Sequence, residues 1–286
     1  MLSFLNKNRI EGYLFVLTAA FFWSISGPIA KLAYEHGATA IDAAFGRVAF
    51  GALFFGIHAA FTRKYKISIY EAVKLILFGS CCIALINYCF MQAVKIIGAG
   101  VATVLMYTAP IYVVIFSYFI FKESITFRKI ISIVIAFIGV ILISLFTGSE
   151  ATLNGGVFFG LFAGLFYSIQ YITVKIFLTR HDPITIFLYG FIGATLPFLP
   201  FTSLSEVAAI GWFSFILIGL LSTYAAYIAY GYALKYLSAT KAAVTANIDP
   251  LFTALIAWFW WGEVFPLLAI VGGLLIIIAV INIAAT

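Results

Sequence analysis

An aspartate and a proline, Asp249 and Pro250, stand side by side at the centre of TANIDPLFTALIAWFWWGE, residues 245–263. The run is long enough to cross a bilayer, and both residues cost free energy there. Proline removes a backbone hydrogen bond, and hydrocarbon penalises charge. A carboxylate at mid-depth can carry a proton, pair with a cationic group on a bound molecule, or stay protonated and hydrogen-bonded inside the protein; the residue alone leaves these open. Thr245 and Thr253, four residues to either side, share the helical face of Asp249. On a regular helix Asn247 points almost the opposite way, so Asn247 and Asp249 line one cavity only if the helix opens near Pro250.

Other polar groups share this depth. Arg47 either meets a carboxylate on a ligand or pairs with Asp42 or a helix carbonyl. His58 is either a proton relay or a packed, hydrogen-bonded side chain, whereas His36 and His181 fall in loops without a signal. Trp23, Ser26 and Gly27 form one helical face, and Tyr167, Gln170 and Tyr171 form another. Asn87, Tyr88 and Gln92 belong to a further apolar run. Tyr107 is the counterpart of Asn247, and Tyr224, Tyr227 and Tyr230 recur every third residue; Tyr107, Tyr224 and Tyr227 are candidate contacts. Aromatic walls with a few amides and hydroxyls are what a small-molecule pocket needs, although aromatics at this spacing also serve ordinary packing. Amides in a membrane seldom face lipid. Cys81, Cys82 and Cys89 fit neither a disulfide framework nor a metal site and read as small buried hydrophobes. Neither a phosphate-binding glycine loop, a G-x-S-x-G elbow nor an H-E-x-x-H cluster occurs. No cofactor or metal is expected.

The elements that must position these residues are membrane helices. Hydrophobic residues make up 65% of the chain and charged residues 9%, against about 25% charged in soluble domains. Apolar runs of about 20 residues, enough to cross roughly 30 Å of hydrocarbon, occur near 12–34, 40–61, 71–92, 99–121, 129–147, 155–177, 184–202, 209–233, 239–261 and 265–284. The first reads as a retained helix, not a cleaved signal. With ten spans no connection is long enough for a separate domain, so function is expected within the membrane. The net charge of +6 is distributed by side. Lys7, Arg9, Arg63, Lys64, Lys66, Lys74, Lys122, Arg128, Lys129, Lys175, Arg180, Lys235 and Lys241 fall on one side; only Lys31 and Lys95 fall on the other. The positive-inside rule then predicts cytoplasmic termini, so the basic balance reports orientation and not a nucleic-acid partner.

The chain also repeats itself. Gly12, Phe22, Ser24 and Lys31 match Gly156, Phe166, Ser168 and Lys175; further on, Gly79, Lys95, Pro110 and Glu123 match Gly219, Lys235, Pro250 and Glu263. Two five-helix units are expected, 1–147 and 148–286. An odd number of spans per unit inverts the second, an arrangement found in secondary transporters. Pro28, Pro110 and Pro250 are the expected helix-breaking positions. The position before Pro110 is Ala109, so the aspartate is particular to the second unit.

APIYVVIFSYFIFKE (109–123) with Gly139, and DPLFTALIAWFWWGE (249–263) with Gly272 and Gly273, carry a specific likeness. With these motifs the chain resembles the EamA-type drug/metabolite transporters. Arg47 sits where that family often has arginine, and the family motif does not include Asp249. The resemblance covers essentially the whole chain and implies transport without naming a cargo. The expected protein is an all-α, multi-pass inner-membrane carrier, not an enzyme, working by alternating access. Its expected cargo is an amino acid or related metabolite, with a possible coupling proton, and it is a monomer or homodimer in the lipid bilayer. A lipid or glycolipid flippase on the same fold is the alternative, and a membrane-embedded enzyme a remote one.

Overall fold

A computed structural model describes residues 2–97, 102, 105–144, 155–261 and 267–285. All its regular elements are helical: α1 (Leu2–Ser24), α2 (Ser26–Tyr34), α3 (Ala40–Thr62), α4 (Ile69–Phe78), α5 (Ala84–Ile97), α6 (Ala109–Phe121), α7 (Phe127–Ser144), α8 (Gly155–Phe177), α9 (Pro183–Thr195), α10 (Ala209–Leu217), α11 (Ala226–Tyr236), α12 (Ala239–Ala246), α13 (Asp249–Trp261) and α14 (Leu267–Ala284). Among the described residues, five helical stretches are long and apolar enough to cross a membrane: Ala40–Thr62, Ile69–Ala93, Gly155–Phe177, Pro183–Phe201 and Ala209–Tyr236. Ala109–Phe121 and Ile270–Ile283 are shorter apolar helices. The other expected spans are divided, as with 12–34 and 239–261, or, as with 99–121, 129–147 and 265–284, run onto positions outside the described residues. Glu263 also lies outside them.

The three prolines explain the divisions. Each lacks the N–H that would pair with the carbonyl four residues back, which frees the carbonyls of Ser24, Met106 and Ala246. At those points α1 gives way to α2 around Ile25, the chain turns at Tyr107–Thr108 before α6, and α12 gives way to α13 at Asn247–Ile248. The premise of a regular helix through Asn247 and Asp249 therefore does not hold.

Repeat-related features recur in space. Wide π-helical turns occupy Gly79–Ile83, between α4 and α5, and Ile218–Ala225, between α10 and α11. Each lies at a crossing too close for an additional methyl. A Cβ on Gly79 would sit 1.8 Å from the Gly190 carbonyl oxygen, and one on Gly219 would sit 2.3 Å from Phe50 Cβ. Partners also exchange between units: α1 packs on α11, as α8 packs on α5, while α7 and α14 pair along their length. A Cβ on Gly139 of α7 would sit 2.6 Å from the Gly272 oxygen of α14, so the motif glycines set that approach.

Each end of the molecule carries a clasp. At one end the buried Asp42, in the Thr39 capping box of α3, accepts from Thr39 N (2.8 Å), Thr39 Oγ1 (2.6 Å) and Ser203 N (2.7 Å). There Ala208 N also donates to the His36 carbonyl. At the other end Asp182 caps α9 and accepts from Lys64 Nζ (3.0 Å). His181 Nε2 lies 3.1 Å from Glu71 Oε2, Lys175 Nζ donates to Leu237 O (2.6 Å), and Glu123 pairs with Lys129 and accepts from Thr240. In both clasps an aspartate opening the second helix of one unit holds the connection that follows the second helix of the other.

Candidate functional site

Between the clasps α1, α8, α9 and α11 converge on a knot of rings. Trp23 lies edge-on to Tyr227 (5.5 Å between centroids) and Tyr167 (6.3 Å) and tilts over Tyr230 (5.6 Å). Tyr171 meets Tyr230 edge-on at 5.0 Å and Tyr167 at 5.1 Å, with hydroxyl oxygens 3.4 Å apart. Phe187 and Phe191 close the far side of Tyr227 at 5.1 and 4.9 Å. Edge-to-face pairs at such separations suit the ring quadrupoles, and this packing holds the polar rims of the tyrosines and of Trp23 in place.

Several polar atoms here lack a well-formed hydrogen bond. Trp23 Nε1, both amide atoms of Gln170 and the Tyr230 hydroxyl are buried without one among the described residues, although Gln170 and the Tyr230 hydroxyl lie close enough to interact. Gln170 is 0% exposed and Tyr230 1%. An unmade hydrogen bond of this kind costs about 1–3 kcal/mol, and Ser117, Ser222, Thr223 and Thr245 carry buried hydroxyls in the same condition elsewhere in the helix packing.

Asp249 stands at the edge of the knot. The turn at Asn247–Ile248 brings it to the start of α13, where one carboxylate oxygen accepts from the Tyr107 hydroxyl. Its other oxygen, Oδ1, is buried without a well-formed hydrogen bond, and the Thr253 side chain lies within reach of the carboxylate. Tyr107 comes from the equivalent turn in the first unit, so the two proline breaks supply donor and acceptor of one contact. Tyr167 lies within electrostatic reach of both Tyr107 and Asp249, which joins this pair to the rings. Asn247 is buried at the same break, and Pro110 and Pro250 are buried behind it.

The remaining candidates disperse. Ser26 spends its hydroxyl on the Trp23 carbonyl at 2.6 Å. Pro28 stands at the third position of α2. Tyr224 turns away toward α3, where its hydroxyl meets His58 Nδ1 at 2.8 Å; His58 is thus a hydrogen-bonded partner of Tyr224. Asn87 and Tyr88 line a separate cavity at the Asp42 end. Arg47 is not paired with Asp42, whose oxygens are engaged by Thr39 and Ser203. Tyr230, Phe187 and Phe191 escape sequence reasoning as site residues, although the every-third-residue tyrosine series pointed to Tyr230. The His181–Glu71 contact left no sequence signal at all. Among the described residues no group of three or more His, Cys, Asp or Glu could hold a metal ion.

An internally duplicated chain of apolar helices with polar side chains buried at its centre has the architecture of a membrane transporter, and its likeness to known proteins agrees. Residues 10–145 and 154–285 each match the EamA-like transporter family, and the chain belongs to that family. It is 25% identical to the uncharacterized transporter YdfC of Bacillus subtilis (strain 168), over 88% of this chain and 83% of that one. It is 26% identical to the pseudopaline exporter CntI of Pseudomonas aeruginosa (strain UCBPP-PA14), over 96% of both. A protein of Streptantibioticus cattleyicolor named "Probable terminal-alkyne amino-acid exporter" is 28% identical over 62% of this chain and 61% of its own. A crystal structure of another protein superimposes with a TM-score of 0.79 over 96% of both chains at 16% identity, a likeness of fold.

Proposed function

We propose that this membrane transporter is a secondary carrier, not an enzyme, that moves a small amino acid or related metabolite across the inner membrane by alternating access. The observation that carries this reading is the set of buried polar atoms without well-formed hydrogen bonds on Trp23, Gln170 and Tyr230 among the aromatic rings, with Asp249 at their edge. A cargo with donors and acceptors would satisfy them, and the rings would hold its apolar part. Two relatives are named exporters, which supports outward movement.

In this reading both termini are cytoplasmic, and units 1–147 and 148–286 alternate which clasp is open. With both clasps closed the centre is occluded; release of the Asp182–Lys64 contact would open it to the basic, cytoplasmic end, and release of the Asp42–Ser203 contact to the other. The exchanged helix partners mean that the units slide past one another at the glycine crossings. Asp249 would bind a cationic group or carry a coupling proton, and the protein would work as a monomer or homodimer.

The test is counterflow in proteoliposomes: vesicles loaded with unlabelled amino acids, with tracer uptake followed in the absence of an ion gradient. Trans-stimulated uptake is expected. Absence of exchange for every amino acid, from protein shown to be folded, would remove amino acids as cargo and shift weight to other metabolites and to lipid headgroups.

A further inference from the structure

Away from the aromatic knot, a cavity of about 410 Å³ lies beside the Asp42 clasp. Its volume falls within the range of small-molecule sites, about 300–1,000 Å³. None of the ring residues of the knot lines it. Its walls come from both units: Tyr34 at the end of α2, Ala40 at the start of α3, Asn87, Tyr88 and Gln92 on α5, and Phe198 in the 3₁₀ stretch Leu196–Phe201 that continues α9.

The lining sets the chemistry of an occupant. No residue of the wall is charged, and the neighbouring Asp42 carboxylate is engaged by Thr39 and Ser203. An ionic molecule would lose hydration there without gaining a counter-charge. Tyr34, Tyr88 and Phe198 supply aromatic surface, and Tyr88 is held edge-on to Phe159 of α8 at 6.2 Å between centroids. Hydrogen-bonding groups are few. Asn87 donates Nδ2 to Ile83 O at 2.8 Å, so the group it has left to offer is its carbonyl oxygen, an acceptor. Gln92 adds a second amide on the same helix.

The cavity also touches both partners of a crossing between the units. Asn87 is bonded to Ile83, the last residue of the π-helical turn Gly79–Ile83. That turn is fastened to α9, where Ser80 Oγ donates to Gly193 O at 2.7 Å and Gly79 abuts the Gly190 carbonyl. Phe198 is buried one turn beyond the end of α9. A molecule in contact with Asn87 and Phe198 therefore spans the two elements that meet at the glycine crossing.

We infer that this cavity is a second ligand site, separate from the aromatic knot, for an uncharged molecule with an aromatic body and a hydrogen-bond donor, and that its occupant holds α5 and α9 together. Binding stands on the cavity alone. The effect on transport, a lower maximal rate with unchanged cargo affinity, rests on the carrier reading above, in which the units slide at this crossing.

The probes are β-naphthol, which is uncharged at neutral pH and donates one O–H, its methyl ether, which lacks the donor, and the anionic β-naphthoate. Calorimetric titration of the full chain in detergent reads binding. Ala40→Trp is the blank for partition into micelles, because Ala40 is an exposed wall residue from which an indole can fill the mouth. β-Naphthol is expected to saturate the wild type and not Ala40→Trp, with the methyl ether about tenfold weaker and β-naphthoate weaker still. Asn87→Leu should erase the difference between β-naphthol and its ether; should that variant fail to fold, the wild-type comparison decides. In counterflow, β-naphthol should lower the maximal rate of the wild type, leave half-saturation by tracer unchanged, and spare Ala40→Trp. Equal heats in wild type and Ala40→Trp, or β-naphthoate bound as tightly as β-naphthol, overturns the site. Competition with tracer overturns it as a second site by placing the cavity on the cargo's route, and binding without an effect on counterflow overturns the hold on the crossing. No counterflow of any solute by folded protein removes the carrier reading, and calorimetry still decides the site.

Discussion

Removal of Asp42 is expected to cost more than removal of its counterpart Asp182, because burial of the carboxylate separates two otherwise similar clasps. Asp42 is 0% exposed and accepts three hydrogen bonds of 2.6–2.8 Å, two of them from the backbone N–H groups of Thr39 and Ser203. Asp42→Ala removes three hydrogen bonds to a buried carboxylate and the capping box; because Thr39 and Ser203 are themselves exposed, water recovers part of the loss, and about 2–4 kcal/mol follows. At the Asp182 clasp the side chains of Asp182 and Lys64 are 22% and 37% exposed. Solvent screens such a pair to about 0.2–1 kcal/mol, and loss of the bond to Ile184 N adds about 1 kcal/mol as a missing cap. Asp182→Ala should therefore cost about 1–2 kcal/mol. Thermal unfolding of both variants in one detergent tests the order, and hydrogen exchange over 202–208 localises the Asp42 effect. Added salt should shrink the ion-pair part of the Asp182→Ala loss and leave that of Asp42→Ala unchanged. Equal midpoints for the two variants, or a salt-sensitive Asp42 effect, would refute the reasoning.

Gln170→Met should leave stability within about 1 kcal/mol, because an apolar chain of similar size replaces polar atoms without well-formed hydrogen bonds but removes the neighbour of the Tyr230 hydroxyl, while transport falls sharply; unchanged counterflow would exclude Gln170 from cargo contact. Gly193→Ala places a Cβ 2.0 Å from the Ile76 carbonyl oxygen, a backbone clash that side-chain movement cannot relieve. It should lower stability by about 1–3 kcal/mol or more, and a wild-type melting temperature would contradict the α4–α9 crossing. Asp249→Asn keeps the shape and the Tyr107 contact but removes the charge, so transport should be abolished or uncoupled with folding intact. Wild-type rates and pH dependence in that variant would show that Asp249 serves packing.

Much of this molecule was legible from one-dimensional chemistry. Composition and run length imposed membrane helices, since backbone groups in hydrocarbon must bond within their own segment. The rarer matched letters exposed the duplication, and the three prolines marked where helices divide, because the missing N–H acts on the chain itself. Trp23, Tyr167, Gln170, Tyr171 and Asp249 could be nominated because residues three or four apart share a face whatever surrounds them. Ser26 and Tyr224 could not be sorted from them in this way. The first is consumed by the Trp23 carbonyl at the end of the preceding helix and the second by His58 on another, and only the observed breaks and crossings distinguish these fates.

The same division holds for the charges. Sequence determined that Asp249, Arg47 and Asp42 lie in or beside apolar helices, since hydropathy is a property of the chain. Tertiary structure decided that Asp42 is spent on Thr39 and Ser203, that one Asp249 oxygen is buried without a well-formed hydrogen bond, and that Tyr107 reaches Asp249 from the other unit across 142 residues of sequence. Hydrogen bonds between distant segments depend on how helices cross. Those crossings are set by close backbone approach at glycines such as Gly79 and Gly193, whose partners Gly190 and Ile76 no local pattern identifies.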